Sequence, residues 1–192
     1  IETLVRHFNK LSDKILTTFK PDSILEIGCN DFTFLKNFKG HNLSKIVGVD
    51  PSDVSLDSET NEIILYNNFF TSELADSIYQ KEGSFDVITT SNSFAHIENI
   101  LDVTKGLKKL LSRDGTIIIE VHWLGSLIQN LQFPFIYHEH MYYYSLKSME
   151  YLLNQYDLKV YDIEKISIHG GSIRFYCCHY NSKKDISSSV ES

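Results

Sequence analysis

The segment that most constrains the fold is residues 23–38, with the sequence SILEIGCNDFTFLKNF. Its first five residues are mostly aliphatic, a pattern typical of a buried parallel strand. Gly28 then permits a sharp turn and a close approach of backbone to a ligand. Asp31 is suited to cap a following helix, and the apolar residues after it predict an apolar helix face. The segment therefore predicts a strand, a glycine turn and a helix.

A second predicted strand, residues 45–50 (KIVGVD), ends in an acid. In doubly wound sheets the turn after the first strand faces the middle of a nucleoside-containing ligand. An acid at the end of the second strand accepts hydrogen bonds from the ribose hydroxyls. Asp50 occupies that position, so the two strands together predict a site for an adenosine-containing ligand.

The charge around the turn indicates which ligand this is. A pyrophosphate needs the bare backbone of G-x-G-x-x-G, and only the first glycine, Gly28, is present here. Glu26 and Asp31 add carboxylates that would repel a phosphate and suit a cation. S-adenosylmethionine carries a sulfonium and an ammonium and no phosphate, and is the predicted cofactor. A short capped loop without a ligand and a small dehydrogenase are the competing interpretations.

The pattern along the chain predicts an α/β fold with a doubly wound, mostly parallel sheet of seven strands. Strands that alternate with helices imply right-handed crossovers and parallel pairing. An apolar stripe in residues 1–20 predicts a first helix. Further strands are predicted over 62–66, 85–90 and 116–121, and helices over 71–81 and 96–113.

The pattern changes after the fifth strand. Residues 123–144 are dense in aromatic and histidine residues and predict an irregular lid, followed by a helix over 145–156. Two strands joined at His169-Gly170-Gly171 predict a terminal antiparallel hairpin over residues 158–180. Residues 1–180 are thus expected to form a single domain. Residues 181–192 are Ser-rich and polar, and predict a flexible tail.

Composition excludes several classes of protein. The 192 residues are 42% hydrophobic and 22% charged, values ordinary for a soluble globular domain. A formal charge of −7 without a basic stripe argues against nucleic-acid binding. The sequence contains no apolar run of the ~20 residues that span a membrane and no signal peptide. The three cysteines lack zinc spacing, so a reducing cytoplasm is expected. Because the first residue is not Met, a piece of a longer protein is equally compatible with these features.

The cluster YHEH, residues 137–140, concentrates groups that can move a proton. Imidazole has an unperturbed pKa of ~6.5 and serves as a general base near neutral pH, and a neighbouring carboxylate can orient the ring. The cluster is not the HExxH zinc motif, because His138 and His140 share a face only in an extended strand. A metal site and a polar lid with solvated histidines are the alternatives to a general base.

Five residues elsewhere are candidates for the same edge of the sheet. Asn68 and Phe69 follow the third predicted strand and could pair with and stack on an adenine, although a turn followed by core phenylalanines is the competing interpretation. His96 follows the fourth strand. His169 and Arg174 could hold an anionic part of a substrate, and Arg174 is equally compatible with a strand residue that faces water.

The order of these segments resembles that of class I S-adenosylmethionine-dependent methyltransferases. More narrowly, it is similar to the sugar C-methyltransferases that act on nucleotide-linked 4-keto deoxysugars. IYHEHMYYYS followed by HGGSIR is the most specific match. The matching stretches extend over residues 23–180 and are EIGCND, VGVDPS, FDVITTSNSFAHIENI, EVHWL, FPFIYHEHMYYYSLKSMEYLL and HGGSIRFY.

The resemblance implies a methyl transfer from S-adenosylmethionine to a sugar or sugar nucleotide, with His140 as the base. A sugar O-methyltransferase and a non-catalytic cofactor-binding module are the alternatives. The implied catalytic residues are His96, Tyr137, Glu139 and His140, and those assigned to the cofactor are Glu26, Gly28, Asn30, Asp31, Asp50, Pro51, Asn68, Phe69 and Asn92.

The chain departs from the family pattern in three places. Phe32 stands where the family usually has a glycine. The N-terminal zinc module of those enzymes and most of their substrate-binding C-terminal domain have no counterpart here. We therefore expect a fragment or a shortened relative whose substrate can differ.

Overall fold

A computed structural model describes residues 2–56 and 61–191 of the chain. Its strands form one seven-stranded sheet in the order β3-β2-β1-β4-β5-β7-β6. The first five strands pair in parallel, and β7 runs antiparallel to both of its neighbours, which confirms the predicted fold class. The strands are β1 (Ser23–Ile27), β2 (Lys45–Val49), β3 (Ile64–Tyr66), β4 (Phe85–Ser91), β5 (Leu111–His122), β6 (Leu158–Ile166) and β7 (Ser172–His179).

Helices cover both faces of the sheet, so its central strands are buried on both sides. One apolar cluster joins α3, α4 and α6 to one face, and a second joins α1 and the segment after β1 to the other. Alternate residues of β1 serve the two clusters, with Ile24 in the second and Leu25 in the first. The helices are α1 (Glu2–Thr18), α2 (Asp53–Leu56), α3 (Ser72–Glu82), α4 (Ile100–Leu110), α5 (Leu124–Gln129), α6 (Leu146–Asn154) and α7 (Ser188–Glu191).

The helix predicted after β1 is wrong in type. A single 3₁₀ turn, Leu35–Phe38, stands there, and Asp31 does not cap it. The Asp31 carboxylate instead accepts hydrogen bonds from the backbone N–H and the hydroxyl of Thr33. These bonds form a local turn that competes with helix formation. The backbone of Asn30 and Phe32 is left-handed, with φ of 45° and 61°, so the chain cannot enter a helix before Phe34.

The helix predicted over 96–113 is shorter than expected. A 3₁₀ turn, Phe94–His96, comes first, and the side chain of Asn99 then caps α4 by accepting from the N–H of Asp102. The helix ends at Leu110 rather than at residues 114–115, because Leu111 already pairs with Phe85 of β4. Asp114 and Gly115 lie within β5, where the pairing with β4 shifts register between Leu111 and Thr116.

The segments after β5 follow the prediction in part. Residues 123–144 are largely irregular apart from α5 and a 3₁₀ turn, Phe133–Phe135. The predicted helix is present as α6, and Ser145 caps it through a reciprocal pair of hydrogen bonds with Ser148. The connection between β6 and β7 is longer than a two-residue glycine turn, because it contains the 3₁₀ turn Ile168–Gly170.

The segment predicted to be a flexible tail is packed against the sheet. Ser189 Oγ donates a hydrogen bond of 2.6 Å to Asp162 of β6, and Val190 contacts the first apolar cluster. The N–H of Ser187 also bonds to the carbonyl of Tyr161. The segment thus covers β6, which would otherwise be an open sheet edge.

Among the described residues, no helix combines the length and apolarity needed to span a membrane.

Candidate active site

Three adjoining cavities lie at the carboxyl ends of the parallel strands. The turn cavity (about 510 Å³) contains Glu26 and Asn30, the Asp50 cavity (about 540 Å³) contains Asp50 and Phe69, and the histidine cavity (about 170 Å³) contains His140. Gly28 lines both the turn and Asp50 cavities, Asn92 lines the turn and histidine cavities, and His96 lines the Asp50 and histidine cavities. These shared residues make the three cavities one cleft.

Glu26 presents a buried carboxyl group to the turn cavity. Its side chain is 3% exposed, and its Oε2 has no hydrogen-bond partner among the described residues. Burial, together with the nearby carboxylates of Asp50 and Asp31, raises the pKa of Glu26 well above its ordinary value. A buried carboxylate oxygen without a donor is costly unless a cation or donor meets it. The turn cavity therefore fits a cationic ligand group such as an ammonium.

Gly28 is required by both conformation and space. Its φ of +79° is unfavourable for any residue with a Cβ, and a Cβ placed here would lie 2.6 Å from Ser93 Oγ. Ser93 donates to the carbonyl of Ile27 across 3.1 Å, and its hydroxyl also bonds to Thr90. The close packing of the ends of β1 and β4 thus depends on the glycine.

Asp50 is nine-tenths buried, and backbone donors hold its carboxylate. Oδ2 accepts from the N–H of Asn30 at 2.9 Å, and Oδ1 accepts from the N–H of Ser52 at 2.8 Å. Asn67 Nδ2 donates to the carbonyls of Asp50 and Ser52. Each carboxylate oxygen retains a second lone pair, so Asp50 can still accept hydrogen bonds from a diol in the Asp50 cavity.

The remaining predicted cofactor residues lie along the same cleft. Pro51, Asn68 and Phe69 line the Asp50 cavity, and the Phe69 ring is 72% exposed at its mouth. Phe70 is a core residue instead, as the competing interpretation held. Asn92 has a left-handed backbone (φ 57°), and its N–H donates to the carbonyl of Glu120.

His140 has a defined hydrogen-bonding arrangement in the histidine cavity. Its Nδ1 lies 3.0 Å from the carbonyl oxygen of Phe135. A carbonyl can only accept, so the neutral ring carries its proton on Nδ1 and leaves Nε2 as an acceptor. The hydroxyl of Tyr137 lies 3.2 Å from Nε2 and donates to it. His140 is therefore arranged to take up a proton at Nε2.

His96 is held beside His140 in the same way. Its Nδ1 lies 2.9 Å from the carbonyl of Glu139, and the two imidazole centroids are 4.8 Å apart. The expectation that the Glu139 carboxylate orients a ring is thus corrected, because its backbone carbonyl does so while its side chain is exposed. His138 is exposed too. Within the described ranges, no group of three or more His, Cys, Asp or Glu residues is arranged to hold a metal ion.

The structure adds residues that the sequence reasoning did not assign. His122 ends β5, is 8% exposed and lines the histidine cavity, and its place directly after the strand predicted over 116–121 was the available signal. Leu4, Val5 and Phe8 of α1 line the turn cavity. Their spacing indicated a helix face and gave no signal that this face meets a ligand site.

The substrate role predicted for Arg174 does not fit its surroundings. The side chain is 4% exposed, its Nε lies 2.6 Å from Glu120 Oε2 and its Nη1 lies 3.3 Å from Glu164. Glu120 is fully buried and also contacts His7 Nε2 at 2.8 Å. Arg174 neither faces water nor remains free for an anion, because it pairs with the buried carboxylate of Glu120 and the partly exposed carboxylate of Glu164. The side chain of His169, the other candidate, lies outside the described residues.

A seven-stranded sheet with β7 antiparallel, a glycine turn after β1 and an acid after β2 defines the class I methyltransferase fold. Residues 2–163 match the family described as "Methyltransferase domain". The chain belongs to this family.

A curated relative and two solved structures illustrate the similarity. The C-methyltransferase NovU of Streptomyces niveus is 32% identical over 176 residues, which cover 89% of this chain and 41% of NovU. This chain thus spans less than half of that relative's length. The Haloferax volcanii complex of the Trm112 activator with a methyltransferase matches with a TM-score of 0.67 and 11% identity over 91% of this chain and 90% of the other. Magnesium protoporphyrin IX methyltransferase from Synechocystis PCC 6803, with bound SAH, matches with a TM-score of 0.66 and 12% identity. The match covers 91% of this chain and 83% of the other.

Proposed function

We propose that this chain binds S-adenosylmethionine in the cleft and transfers its methyl group to a small acceptor in the histidine cavity. The observation that carries the proposal is the continuity of the three cavities through Gly28, Asn92 and His96. The turn and Asp50 cavities, which have acidic walls and are proposed to hold the methyl donor, thereby open directly onto the imidazoles of His96 and His140. Methyl transfer requires this adjacency, since donor and acceptor must approach to about 3 Å in line.

The donor side of the cleft supports the cofactor assignment. Glu26 supplies a buried carboxylate for the ammonium group, and Asp50 supplies acceptor lone pairs for the ribose hydroxyls. Phe69 and Asn68 at the mouth of the Asp50 cavity are suited to the adenine. When bound, S-adenosylmethionine supplies a methyl group already activated by its positively charged sulfur. SAH bound to a structural relative of the same fold is consistent with this choice.

On the acceptor side, His140 is the proposed general base. Its Nε2 is the unprotonated nitrogen, and Tyr137 donates to that nitrogen in the ligand-free arrangement. Proton removal next to a ketone would make a carbon nucleophile, and removal from a hydroxyl would make an oxygen nucleophile. The name of the relative NovU, a C-methyltransferase, favours carbon.

The proposed acceptor is a sugar, linked to a nucleotide. The histidine cavity, at about 170 Å³, suits one small ring bearing polar groups. Imidazole, phenol and amide side chains line it, and they are suited to hydroxyl and carbonyl groups. A nucleotide attached to the sugar would extend out of the cavity, past the exposed rim of the lid.

The test combines donor binding with turnover on a panel of nucleoside-diphosphate keto sugars. His140→Ala should abolish turnover and leave the calorimetric affinity for S-adenosylmethionine within about threefold, since His140 lines the histidine cavity and is not among the described residues that line the turn and Asp50 cavities. His138→Ala, which changes the exposed neighbouring imidazole, is the matched control and should keep wild-type turnover. Unchanged turnover in His140→Ala would remove the proposed base.

The same samples distinguish the alternatives. The NMR shift of the transferred methyl group separates C-methyl from O-methyl products. Donor binding without turnover on any acceptor would favour a non-catalytic binding module. Absence of donor binding to the wild-type chain would reject the cofactor.

A further inference from the structure

His122 is fixed between the sheet and the lid. It is the last residue of β5, and its ring centroid lies 4.4 Å from that of Phe135, with the planes inclined by 35°. Its Nε2 lies 2.9 Å from Gln132 Oε1, so this nitrogen carries a proton that it donates to the amide oxygen. Gln132 Nε2 in turn donates to the carbonyl of Gly170 at 2.7 Å. These bonds fix the orientation of the His122 ring.

Phe135 connects this ring to His140. Its carbonyl accepts from His140 Nδ1 at 3.0 Å and from the Tyr143 hydroxyl at 3.2 Å. The phenylalanine ends a 3₁₀ turn whose first residue, Phe133, is 66% exposed, and the residue after the turn, Ile136, is 54% exposed. Because Phe133 and Ile136 pack little, the contact between the Phe135 ring and His122 helps to attach this part of the lid to the sheet, together with the hydrogen bonds that Gln132 makes with His122 and Gly170.

The position of the Phe135 carbonyl determines which nitrogen of His140 can accept a proton. With the carbonyl in place, Nδ1 donates to it and Nε2 is the acceptor. Without it, the proton can reside on either nitrogen, and a ring protonated at Nε2 cannot act as a base there. A catalytic histidine held in the wrong tautomer loses several orders of magnitude in rate.

We propose that His122 is a positioning residue for His140. By stacking on Phe135 it holds the Phe135 carbonyl at His140 Nδ1, and it thereby keeps Nε2 of His140 unprotonated towards the histidine cavity. The effect on turnover rests on the proposed function, whereas the effect on the tautomer of His140 does not.

The test measures that tautomer directly, by NMR of protein with ¹⁵N-labelled histidine and with the His140 signals assigned from His140→Gln. The wild type should show a single Nδ1–H form at a pH where the ring is neutral. His122→Ala should show exchange between the two tautomers and about a 10- to 100-fold fall in kcat, as for a displaced catalytic group. The affinity for S-adenosylmethionine should stay within about threefold.

Two further variants separate the stack from other roles of His122. His122→Phe keeps a ring against Phe135 and loses the bond to Gln132, so it should restore the Nδ1–H form and most of kcat. His41→Ala, a change at an exposed histidine, should leave the His140 signals unchanged. Phe135→Ala keeps the backbone carbonyl and removes the stack from the lid side. It should show the same tautomer exchange as His122→Ala, and it provides the test if His122→Ala folds poorly.

An unchanged Nδ1–H form in His122→Ala and in Phe135→Ala would overturn the proposal, as would a His122→Phe spectrum identical to that of His122→Ala. These outcomes are independent of whether His140 is the base. Turnover retained in His140→Ala would reject the proposed base, while the tautomer measurement would still decide the positioning role.

Discussion

The backbone N–H of Asn30 donates a hydrogen bond of 2.9 Å to Oδ2 of Asp50. The turn after β1 and the acid after β2 therefore hold each other in place, although each belongs to a different strand. Asn30 adopts a left-handed backbone conformation with a φ of 45°, and the bond to Asp50 helps to stabilise it. The residue proposed to meet the ribose thus also shapes the turn proposed to meet the methionine end of the donor.

Replacement of Asp50 by Ala should affect binding and stability together. It removes the ribose acceptor and leaves the N–H groups of Asn30 and Ser52 without their partner. We expect donor affinity to fall more than about tenfold and the free energy of unfolding to fall by about 1–3 kcal/mol. Calorimetry and urea unfolding measure the two effects. Asp53→Ala, at an exposed carboxylate in the same segment, is the control, and a wild-type affinity in Asp50→Ala would contradict the assignment.

Replacement of Gly28 by Ala tests the close packing of the turn. Gly40 is a matched control, because its φ of +77° is nearly the same as that of Gly28 and a Cβ there would meet nothing within 4 Å. Gly40→Ala should therefore report the backbone strain alone, about 1–2 kcal/mol. Gly28→Ala adds the contact with Ser93 and should lower stability further, as well as donor affinity. Equal unfolding free energies for the two variants would show that the contact is relieved without loss.

Glu26→Gln should stabilise the ligand-free chain while weakening donor binding. Because burial raises the folded-state pKa of Glu26 above its ordinary value of 4.5, this carboxyl destabilises the fold as the pH rises above that value. The amide should therefore add about 1–3 kcal/mol of stability at neutral pH and little at about pH 4. Thermal unfolding at the two pH values, beside a donor titration, measures this. A variant less stable than wild type at pH 7 would argue that the charge is already compensated.

The contribution of Glu120 to stability should depend on pH in the opposite direction from that of Glu26. Burial opposes its ionisation, but hydrogen bonds and charge from His7 and Arg174 lower its pKa below the ordinary value of 4.5. The stability it contributes is therefore present above that value and is lost as the pH falls through the folded-state pKa. Glu120→Gln should be less stable than wild type at pH 7 and should lose less on acidification below about pH 4.5. Glu73→Gln, at an exposed helix position, should follow the wild-type curve.

Arg174→Ala should be more damaging than the loss of a surface charge. It would remove the ion pair at 2.6 Å from the fully buried Glu120 and leave that carboxylate with the contact to His7, and breaking a buried pair costs about 3–5 kcal/mol. Denaturant unfolding measures this, with Arg6→Ala as the control, since the Arg6–Glu2 pair is exposed. A loss below about 1 kcal/mol for Arg174→Ala would contradict the structural role.

Local patterns in the sequence were sufficient for most of the fold. Alternating strands and helices predicted the parallel sheet, and the glycine after Ile27 predicted the turn, because strand burial and backbone freedom are encoded by adjacent residues. The type of the segment after Asp31 was predicted wrongly. Apolar spacing indicates a buried face, and only the left-handed backbone of Asn30 and Phe32 shows that this face is not on a helix.

Phe32 shows why a departure from a family pattern can be tolerated. It stands at a position usually occupied by glycine, keeps a φ of 61° and places a fully buried ring in the second apolar cluster. Gly48 of β2 leaves the space, since a Cβ there would lie 3.0 Å from the Phe32 ring and 2.6 Å from Cys29 Sγ. The buried ring offsets the strain of the left-handed backbone.

The sequence by itself determined the class of fold, the acidic turn and the presence of a proton-accepting cluster after β5. Only the tertiary structure decided which partners those groups have: a carbonyl rather than a carboxylate holds each imidazole, His122 joins the histidine cavity, and Arg174 is committed to the buried Glu120. The physical reason is that strands and turns depend on neighbours along the chain. Hydrogen-bond partners and burial depend instead on residues that meet only when the sheet assembles.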